Sequence, residues 1–395
     1  MARFGMMITC NRPPEELVGS ARYIESLGFD DVWLVEDLRW AGGIGPSAVV
    51  LASTQKVRVG LGIMPAVFRN ASATAMEVSA LARLFPGRFA AGIGHGLQVW
   101  MSQIGERVAS PMTAIEEVTT VVRKMIRGGS VSFDGTYVKV DDIALVHPAI
   151  DVPPVLLGVT GPKSVELSGR IADGTILCEW IGPTYVKEAR ALINRGRAAA
   201  AADQTNSQST ETSTNAKAVD PEQPVDPEQP ADTHQLVGVN ATNTEQLPSQ
   251  CGGIGAASGN KAAFEPAAIP NEHELVVFVN TMLSSEFVDA RTVMRQTIAT
   301  KILDGSLAWT FGPMGVTEEA NRLASSGLPA NELADHIPDV WIDELAAAGS
   351  AEQIQAMFRT LIDAGADTIV MIPFVAKHDP QLARYAELLQ PFRVL

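Results

Sequence analysis

The sequence has few cysteines and few basic residues. Its 395 residues include three cysteines, Cys10, Cys178 and Cys251, an odd number at wide spacing that does not indicate a disulfide framework. Thirty Lys and Arg residues stand against 45 Asp and Glu residues, which gives a formal net charge of −15. Since a sequence-independent nucleic-acid binder needs a basic face, we expect no nucleic-acid partner.

Long hydrophobic runs are also missing from the sequence. No run approaches the roughly 18 apolar residues of a membrane-spanning helix, and the first residues lack the apolar region and the cleavage site of a secretory signal. Hydrophobic residues nevertheless make up 46% of the chain and charged residues 19%, so a large core can be buried. We expect a globular protein of a reducing compartment, the cytoplasm, with no membrane partner.

One segment, residues 198–270, differs in composition from the rest. It is rich in Thr, Ser, Asn and Gln and contains a tandem repeat, Val219–Pro224 followed by Val225–Pro230. Such a segment buries too little apolar surface to offset the entropy of ordering. We predict that it is a disordered insertion between two parts of one domain, residues 1–197 and 271–395.

Elsewhere, short apolar runs alternate with amphipathic helical stretches, and Val131–Asp142 is predicted to form a hairpin. Eight buried strands joined by helical crossovers favour an α/β fold, a TIM-like (β/α)₈ barrel, over a doubly wound open sheet. Functional residues of such a barrel lie at the C-terminal ends of its strands. The eight strand candidates are Phe4–Thr9, Val32–Val35, Val57–Ile63, Phe89–Gly94, Val155–Val159, Thr175–Cys178, Leu275–Met282 and Thr368–Ile372.

Glycines and a histidine mark the ends of the third and fourth predicted strands. Gly62 precedes Ile63 at the end of the third strand, where small residues indicate either a close approach to a ligand or a barrel corner. In the fourth, His95 stands between Gly94 and Gly96, where it would be accessible and able to titrate near neutral pH. A purely structural histidine is the alternative.

The fifth predicted strand runs into a helix through a segment suited to an anion. A glycine followed by a proline at the first helical position leaves backbone N–H groups exposed, and the helix dipole, two hydroxyl groups and an ammonium group add positive potential. An ordinary strand-to-helix turn is the alternative. The residues concerned are Gly158, Thr160, Gly161, Pro162, Lys163 and Ser164.

Carboxylates and tryptophans follow the second and sixth predicted strands. Glu36 and Asp37 come directly after the second strand with Trp40 close behind, and Glu179 and Trp180 follow the sixth. These residues suit a polar site with an aromatic wall, although a salt-bridged loop would have a similar composition.

Motifs for metal or nucleophile chemistry are missing. The six histidines show neither His-x-His nor His-Glu-x-x-His spacing, so we expect no metal site. There is no Gly-x-Ser-x-Gly elbow and no P-loop. A phosphate anchor without such motifs indicates a bound organic cofactor that supplies the chemistry.

Taken in chain order, five segments resemble the bacterial luciferase-like family (LLM class) of flavin- and deazaflavin-dependent oxidoreductases. The resemblance covers most of residues 4–198 and returns at about 274–395. It rests on the common order of short segments. They are the end of the third strand with Phe68–Asn70, the turn Leu84–Phe89 into Gly92–Gly96, Gly161–Lys163, the downstream Ala172–Gly174, and Glu344–Ser350.

The resemblance implies a TIM-like barrel that binds reduced FMN or the deazaflavin coenzyme F-420 (written F420 in enzyme names) at the C-terminal ends of its strands. By position, Gly62-Ile63 matches a bulge behind the cofactor ring that often contains a cis peptide. Gly94, His95 and Gly96 match residues beside the ring. The segment 158–164 matches residues that hold the cofactor phosphate or side chain.

The resemblance also implies a substrate side and candidate proton donors. A small organic substrate would enter over the opposite face of the ring. His95 is the first candidate for a proton donor, with Glu36 and Asp37 second. The expected substrate pocket is formed by Trp40, Trp100, Glu179 and Trp180.

Two departures limit the resemblance. The sugar-phosphate dehydrogenase branch has Asp-His after the second strand, where this chain has Glu36-Asp37, and an acidic residue where this chain has Leu97. The pattern is closer to the methylene-tetrahydromethanopterin reductase-like members, without implying their pterin substrate.

We therefore expect an oxidoreductase that transfers a hydride between F-420, which is favoured, or FMN and a small organic molecule. One alternative is an FMN-dependent monooxygenase of the same fold, which would need a flavin reductase as partner. Others are a cofactor-binding protein without turnover and a barrel enzyme that uses no flavin. The resemblance also implies a homodimer.

Overall fold

The computed structural model describes residues 2–178, 180–215, 272–286, 288–374 and 382–393. Contacts group residues 1–203 and 267–395 into one unit and residues 204–266 into another. Of the second unit, only the end of a helix that begins at Pro183 and ends at Asn215 is described. That helix runs through the first part of the predicted insertion, and residues 216–270, for which disorder is predicted, lie outside the described residues.

Eight parallel strands form a closed ring, which confirms the predicted TIM-like barrel. Each strand pairs with its two neighbours, and the ring closes because β9 pairs with β11 on one side and with β8 on the other. All eight predicted strands are present, and β10 extends the sheet alongside the end of β9. In ring order the strands are β1 (Arg3–Ile8), β2 (Asp31–Leu34), β3 (Arg58–Pro65), β4 (Phe89–Gly94), β7 (Val155–Gly158), β8 (Gly174–Leu177), β9 (Glu274–Leu283) and β11 (Thr368–Pro373), with β10 at Ala347–Gly349.

Helices connect most of the strands and cover the outside of the ring. Several begin at side-chain caps: the Ser110 hydroxyl accepts from the Thr113 N–H, and Ser350 forms a capping box with Gln353. The helices are α1 (Leu17–Ser26), α2 (Ile44–Ser53), α3 (Ala71–Leu84), α4 (Gln98–Gln103), α5 (Pro111–Arg127), α6 (Pro162–Ile171), α7 (Pro183–Asn215), α8 (Ala290–Leu303), α9 (Thr317–Ala324), α10 (Ala330–Leu333), α11 (Asp339–Leu345), α12 (Ala351–Asp363) and α13 (Leu382–Glu387).

The predicted hairpin is also present, as β5 (Val131–Asp134) and β6 (Lys139–Ile143). Residues 135–138 join the two strands, and the Glu117 carboxylate accepts hydrogen bonds from three successive backbone N–H groups of residues 136–138. Burial raises the pKa of Glu117, but these three donors outweigh burial and hold that pKa below its ordinary value.

The barrel interior is filled by side chains from alternate positions of the strands. Trp33 and Phe278 pack edge to face with ring centroids 5.3 Å apart. A β-carbon at Gly60 would overlap the Trp33 indole, so the glycine makes room for this large ring. The interior is therefore a packed core, and a ligand must bind at one of its ends.

The N-terminal end of the barrel is closed by ion pairs. The Arg58 guanidinium binds the carboxylates of Asp31 and Glu274, two hydrogen bonds to each. Asp173, in the Ala172–Gly174 segment, accepts from Arg123 and from the Val155 N–H. That segment leads the chain into β8 at the N-terminal end of the barrel.

A helical module lies between β9 and β10. Helices α8 to α11 pack around their own apolar core, which includes Trp341 and Met294. Because β10 pairs beside the C-terminal end of β9, the module begins and ends at the C-terminal ends of the strands. The sequence patterns above did not predict these four helices or β10.

Candidate active site

The end of β3 carries a backbone irregularity at the predicted position. The peptide bond between Gly62 and Ile63 is cis, and the pairing register between β3 and β4 shifts between Leu61 and Met64. The Ile63 side chain packs against the barrel interior cluster that contains Trp33. Ile63 therefore forms part of the surface at the C-terminal ends of the strands, which we call the barrel mouth.

Glycines on the two following strands make room for Ile63. A β-carbon at Gly158 would overlap Cγ2 of Ile63, and one at Gly94 would lie 2.6 Å from its Cδ1. Distances under about 3 Å between carbon atoms are repulsive. The structure thus brings together three of the predicted cofactor-binding residues, because Gly94 and Gly158 leave the space that the Ile63 side chain occupies.

His95 lies between the N-terminal ends of α5 and α6. Its Nδ1 is 3.2 Å from the Pro111 carbonyl oxygen and its Nε2 is 3.1 Å from the Ser164 hydroxyl. Burial lowers the pKa of His95, and the Pro111 carbonyl opposes this only in part, so the ring is neutral at pH 7. A carbonyl only accepts, so Nδ1–H donates to Pro111, and Nε2 accepts from Ser164.

The predicted anion segment lies beside His95, at the start of α6. Gly161 is the N-cap residue and no side chain caps the helix, while Gly161, Pro162 and Lys163 are exposed. Ser164 is buried and bound to His95. The arrangement leaves N-terminal backbone N–H groups and the Lys163 ammonium available to an anion.

Two aromatic residues, Tyr185 of α7 and Trp309 of the helical module, lie near the start of α6. The Tyr185 hydroxyl donates to the Thr160 carbonyl, and burial raises the pKa of Tyr185 to about 12, so this donor stays protonated. Trp309 packs edge to face on Tyr185 with centroids 5.6 Å apart. Trp309 was not among the predicted site residues, because it is distant in sequence from Tyr185 and from the strand end at Thr160.

Of the two predicted carboxylates after β2, Glu36 is buried and fully engaged. Both its oxygens bind the Arg69 guanidinium, and Oε1 also accepts from the Gly43 N–H at 2.8 Å. Hydrogen bonding to Glu36 raises the pKa of Arg69, against the opposing effect of burial. The pair ties the loop after β2 to the loop after β3.

Asp37 is half-buried and pairs with a cysteine at the end of the neighbouring strand. The Cys10 thiol donates to Oδ2 of Asp37 at 3.3 Å. Burial and then the Asp37 charge raise the pKa of Cys10 to about 12, so the thiol is protonated at pH 7. The second oxygen of Asp37 has no hydrogen-bond partner among the described residues.

The predicted aromatic pocket divides into two places. Trp40 and Trp100 lie together with ring centroids 6.4 Å apart. Trp180 is buried in the core of the helical module, where it packs edge to face on Phe374. Glu179, the fourth predicted pocket residue, lies outside the described residues.

Asn280 is a polar residue at the mouth that the sequence patterns missed. It lies on β9, is fully buried, and neither its Nδ2 nor its Oδ1 has a hydrogen-bond partner in the part of the chain that the structure describes. The available signal was an amide side chain directly after the apolar run Leu275–Val279.

The described residues contain no cluster of side chains suited to a metal ion: no three His, Cys, Asp or Glu side chains among them converge as a metal site would require. The helices described are also each too short or too polar to cross a membrane.

Comparisons with known proteins agree with the resemblance. A family model described as luciferase-like monooxygenase matches residues 1–218. A 5,10-methylenetetrahydromethanopterin reductase from Methanolobus tindarius is 28% identical over 174 residues, which are 44% of this chain and 53% of that protein. An F420-dependent glucose-6-phosphate dehydrogenase from Microbacterium testaceum is 30% identical over 199 residues, 47% of this chain and 59% of that protein. The matches thus span little more than half the length of these curated relatives.

A solved structure extends the similarity of fold to the whole chain. The coenzyme F420 dependent tetrahydromethanopterin reductase from Methanopyrus kandleri superposes with a TM-score of 0.67 at 18% identity, covering 98% of this chain and 97% of that one. At this identity the match shows the barrel fold.

Proposed function

The chain belongs to the luciferase-like monooxygenase family, and from this premise we propose that it is an oxidoreductase that transfers a hydride between F-420 or FMN and a small organic substrate. The observation that carries the proposal is the combination of the Ile63 surface with an uncapped, exposed helix N-terminus at the same barrel mouth. Two curated relatives named for F420 or methylenetetrahydromethanopterin chemistry match 47% and 44% of this chain, respectively. F-420 is the favoured cofactor because the sequence pattern of this chain is closer to that of the reductase-like members than to that of the sugar-phosphate dehydrogenase branch.

The residues at the mouth fit a flavin or deazaflavin. Ile63, seated on Gly94 and Gly158, offers an apolar surface for one face of a planar ring. The uncapped start of α6, with Gly161 and Lys163, offers N–H donors and positive charge for the phosphate of the cofactor tail. Gly96, which follows His95, has a backbone φ of 68°, a conformation that favours glycine.

His95 has a positioning role in this proposal. With both ring nitrogens bound to the protein, it fixes the Ser164 hydroxyl at the start of α6 and joins that helix to α5. Substituting His95 would therefore disturb the phosphate site first. Proton donation by His95, the first candidate above, would require a change of tautomer or of protonation, because the one proton of the neutral ring is on Nδ1 and is donated to Pro111.

Asp37 is then the candidate for holding or moving a proton. Glu36 has both oxygens engaged by Arg69, whereas Asp37 has one oxygen bound to Cys10 and the other without a partner among the described residues. Bound F-420 would supply hydride transfer without oxygen activation, and bound FMN could supply either. Trp40 and Trp100 would line the substrate side beside Asp37.

The second candidate function is an FMN-dependent monooxygenase, which the description of the matching family model favours. It would need a separate flavin reductase. A cofactor-binding protein without turnover is the third candidate. In all three cases we propose a cytoplasmic homodimer in which residues 198–270 are an insertion that the site does not use.

Reoxidation of the reduced cofactors distinguishes these functions. We would mix the protein anaerobically with reduced F-420 or reduced FMN and a panel of ketones, enones and imines, then repeat the reaction in air. Substrate-dependent anaerobic oxidation supports the hydride-transfer enzyme. Reduced FMN reoxidises in air without any enzyme, so a substrate-dependent acceleration of its oxidation in air, with none under anaerobic conditions, supports the monooxygenase. No substrate-dependent acceleration under either condition supports the binding protein.

A further inference from the structure

Asn280 is the most unusual polar residue of the barrel mouth. It is 0% exposed, and among the described residues it is the one side chain with two buried polar atoms, Nδ2 and Oδ1, that both lack a partner. A buried amide that makes no hydrogen bond destabilises a fold, and such groups are rare. A residue that weakens the fold in this way calls for a functional reason.

The position of Asn280 in β9 is fixed by strand alternation. Val276 and Phe278 belong to the barrel interior cluster, and the strand partner of Asn280, Ile372, belongs to it too. Side chains two residues apart point to the same face, so Asn280 points into the barrel one step closer to the mouth than Phe278. Phe278 in turn lies under Gly62, where a β-carbon would be 2.8 Å from its Cζ.

The ring order places Asn280 opposite the Ile63 surface. Counting either way round the barrel, β9 is the fourth strand from β3. A planar ring could insert edge first between the Ile63 surface on β3 and the end of β9. Its inserted edge would then be directed towards Asn280. Because the amide atoms lie beneath the accessible surface, the side chains that cover them at the C-terminal end of the barrel must move aside for the ring edge to reach them.

We propose that Asn280 binds the pyrimidinedione edge of the flavin or deazaflavin ring, an assignment that rests on the proposed function. That edge presents an N–H beside a C=O, the complement of the amide Oδ1 and Nδ2. The opposite, benzenoid end of the ring offers no such pair. Asn280 therefore selects which end of the ring enters the barrel.

Methylation of the ring N3 tests the assignment on the unaltered protein. FMN and N3-methyl-FMN, and the deazaflavin chromophore of F-420 with its N3-methyl derivative, are titrated by fluorescence. We expect N3-methylation to weaken binding about tenfold or more in the wild type, because a hydrogen bond is lost in a buried site. A change of less than twofold would overturn the assignment.

The variant Asn280→Leu separates a functional amide from a merely unsatisfied one. Leucine has a similar volume and no polar group, so the melting temperature should rise while binding of the unmethylated ring weakens and the effect of N3-methylation disappears. Thr119→Val is the matched control, because Thr119 is a buried hydroxyl without a partner among the described residues and lies on α5. It should raise the melting temperature without changing ring affinity.

The outcomes distinguish failure of this assignment from failure of the proposed function. If wild-type protein binds a ring tightly and Asn280→Leu retains both affinity and sensitivity to methylation, the assignment alone is overturned. If the wild type binds none of the four probes, both are overturned. If Asn280→Leu does not fold, Asn280→Ser replaces it, with the same expected loss of sensitivity to methylation.

Discussion

The Cγ2 atom of Ile63 occupies the space that a side chain at Gly158 would need. The two residues lie 95 positions apart on strands that are not neighbours in the ring, with β4 between them. The surface on which we place the cofactor ring is therefore made jointly by the end of β3 and the glycines of β4 and β7.

This relationship predicts that Gly158→Ala removes cofactor binding by displacing Ile63. The new methyl group would overlap the isoleucine, and overpacking of this kind shifts side chains and backbone. We expect the dissociation constant for F-420 or FMN to rise at least about tenfold. Gly45→Ala is the control, because a β-carbon at Gly45 has no atom within 4 Å.

The double variant Gly158→Ala with Ile63→Ala tests the cause. If displacement of Ile63 is responsible, the two changes are strongly non-additive and the double variant binds better than Gly158→Ala alone. Strictly additive losses would show that Gly158 acts independently of Ile63.

Lys163→Ala should weaken binding through the cofactor phosphate alone. Lys163 is exposed at the start of α6, so its contribution is a screened attraction of a few-fold that declines with salt. Titration with FMN and with riboflavin, which lacks the phosphate, measures it. Lys124→Ala, an exposed lysine on α5, should change neither constant, and an equal effect of Lys163→Ala on riboflavin would refute the phosphate site.

Cys10 should resist alkylation in the folded protein. Its pKa of about 12, raised by burial and by Asp37, leaves about a thousandth of the thiolate present in an ordinary cysteine at pH 8.5. Iodoacetamide labelling followed by peptide mass spectrometry measures the rate at this one residue. Asp37→Asn should accelerate labelling of Cys10 about tenfold, and no acceleration would show that the pair does not form.

The buried His273 should make the fold sensitive to acid. Burial, and then the charges of Arg190 and Arg197, lower its pKa to about 3. Above pH 6.5 His273 is neutral in both the folded and the unfolded chain. Below pH 6.5 the histidine binds a proton in the unfolded chain but not in the folded one. The free energy of unfolding therefore falls by up to about 1.4 kcal/mol per pH unit.

Urea unfolding at pH 6.5 and pH 5 measures this effect. Between these values the wild type should lose about 2 kcal/mol more than His273→Gln, which keeps a polar partner for the Thr175 hydroxyl. His336→Gln, at an exposed histidine, should behave as the wild type. Equal losses in wild type and His273→Gln would show that His273 is protonated in the fold.

The barrel was predictable because its strands are buried on both faces. Runs such as Val155–Val159 are apolar throughout, and the glycines and proline at their ends mark where functional backbone lies. β10 was not predictable, since Ala347–Gly349 has neither length nor branched side chains and pairs only because β9 is long. The helices of the module bury their apolar faces in a core of their own. Sequence periodicity can indicate an apolar helix face, but it does not indicate which core that face packs into.

For the site, the sequence identified residues but not their partners. His95 was recognisable from its flanking glycines, yet its bonds to Pro111 and Ser164 depend on how two helices are placed. Trp180 follows a strand end as expected, but a backbone φ of 67° accompanies its burial in the module, away from Trp40. Such long-range choices are made by tertiary packing.

The most direct test of the account is a parallel fluorescence titration of the purified protein with F-420 and FMN. We predict saturable binding of at least one cofactor, with F-420 bound about tenfold more tightly, a difference of about 1.4 kcal/mol. A reversed preference would favour the FMN-dependent monooxygenase. Binding of neither cofactor below about 100 μM, equivalent to a binding free energy of only about −5.5 kcal/mol, would contradict a cofactor site at the barrel mouth.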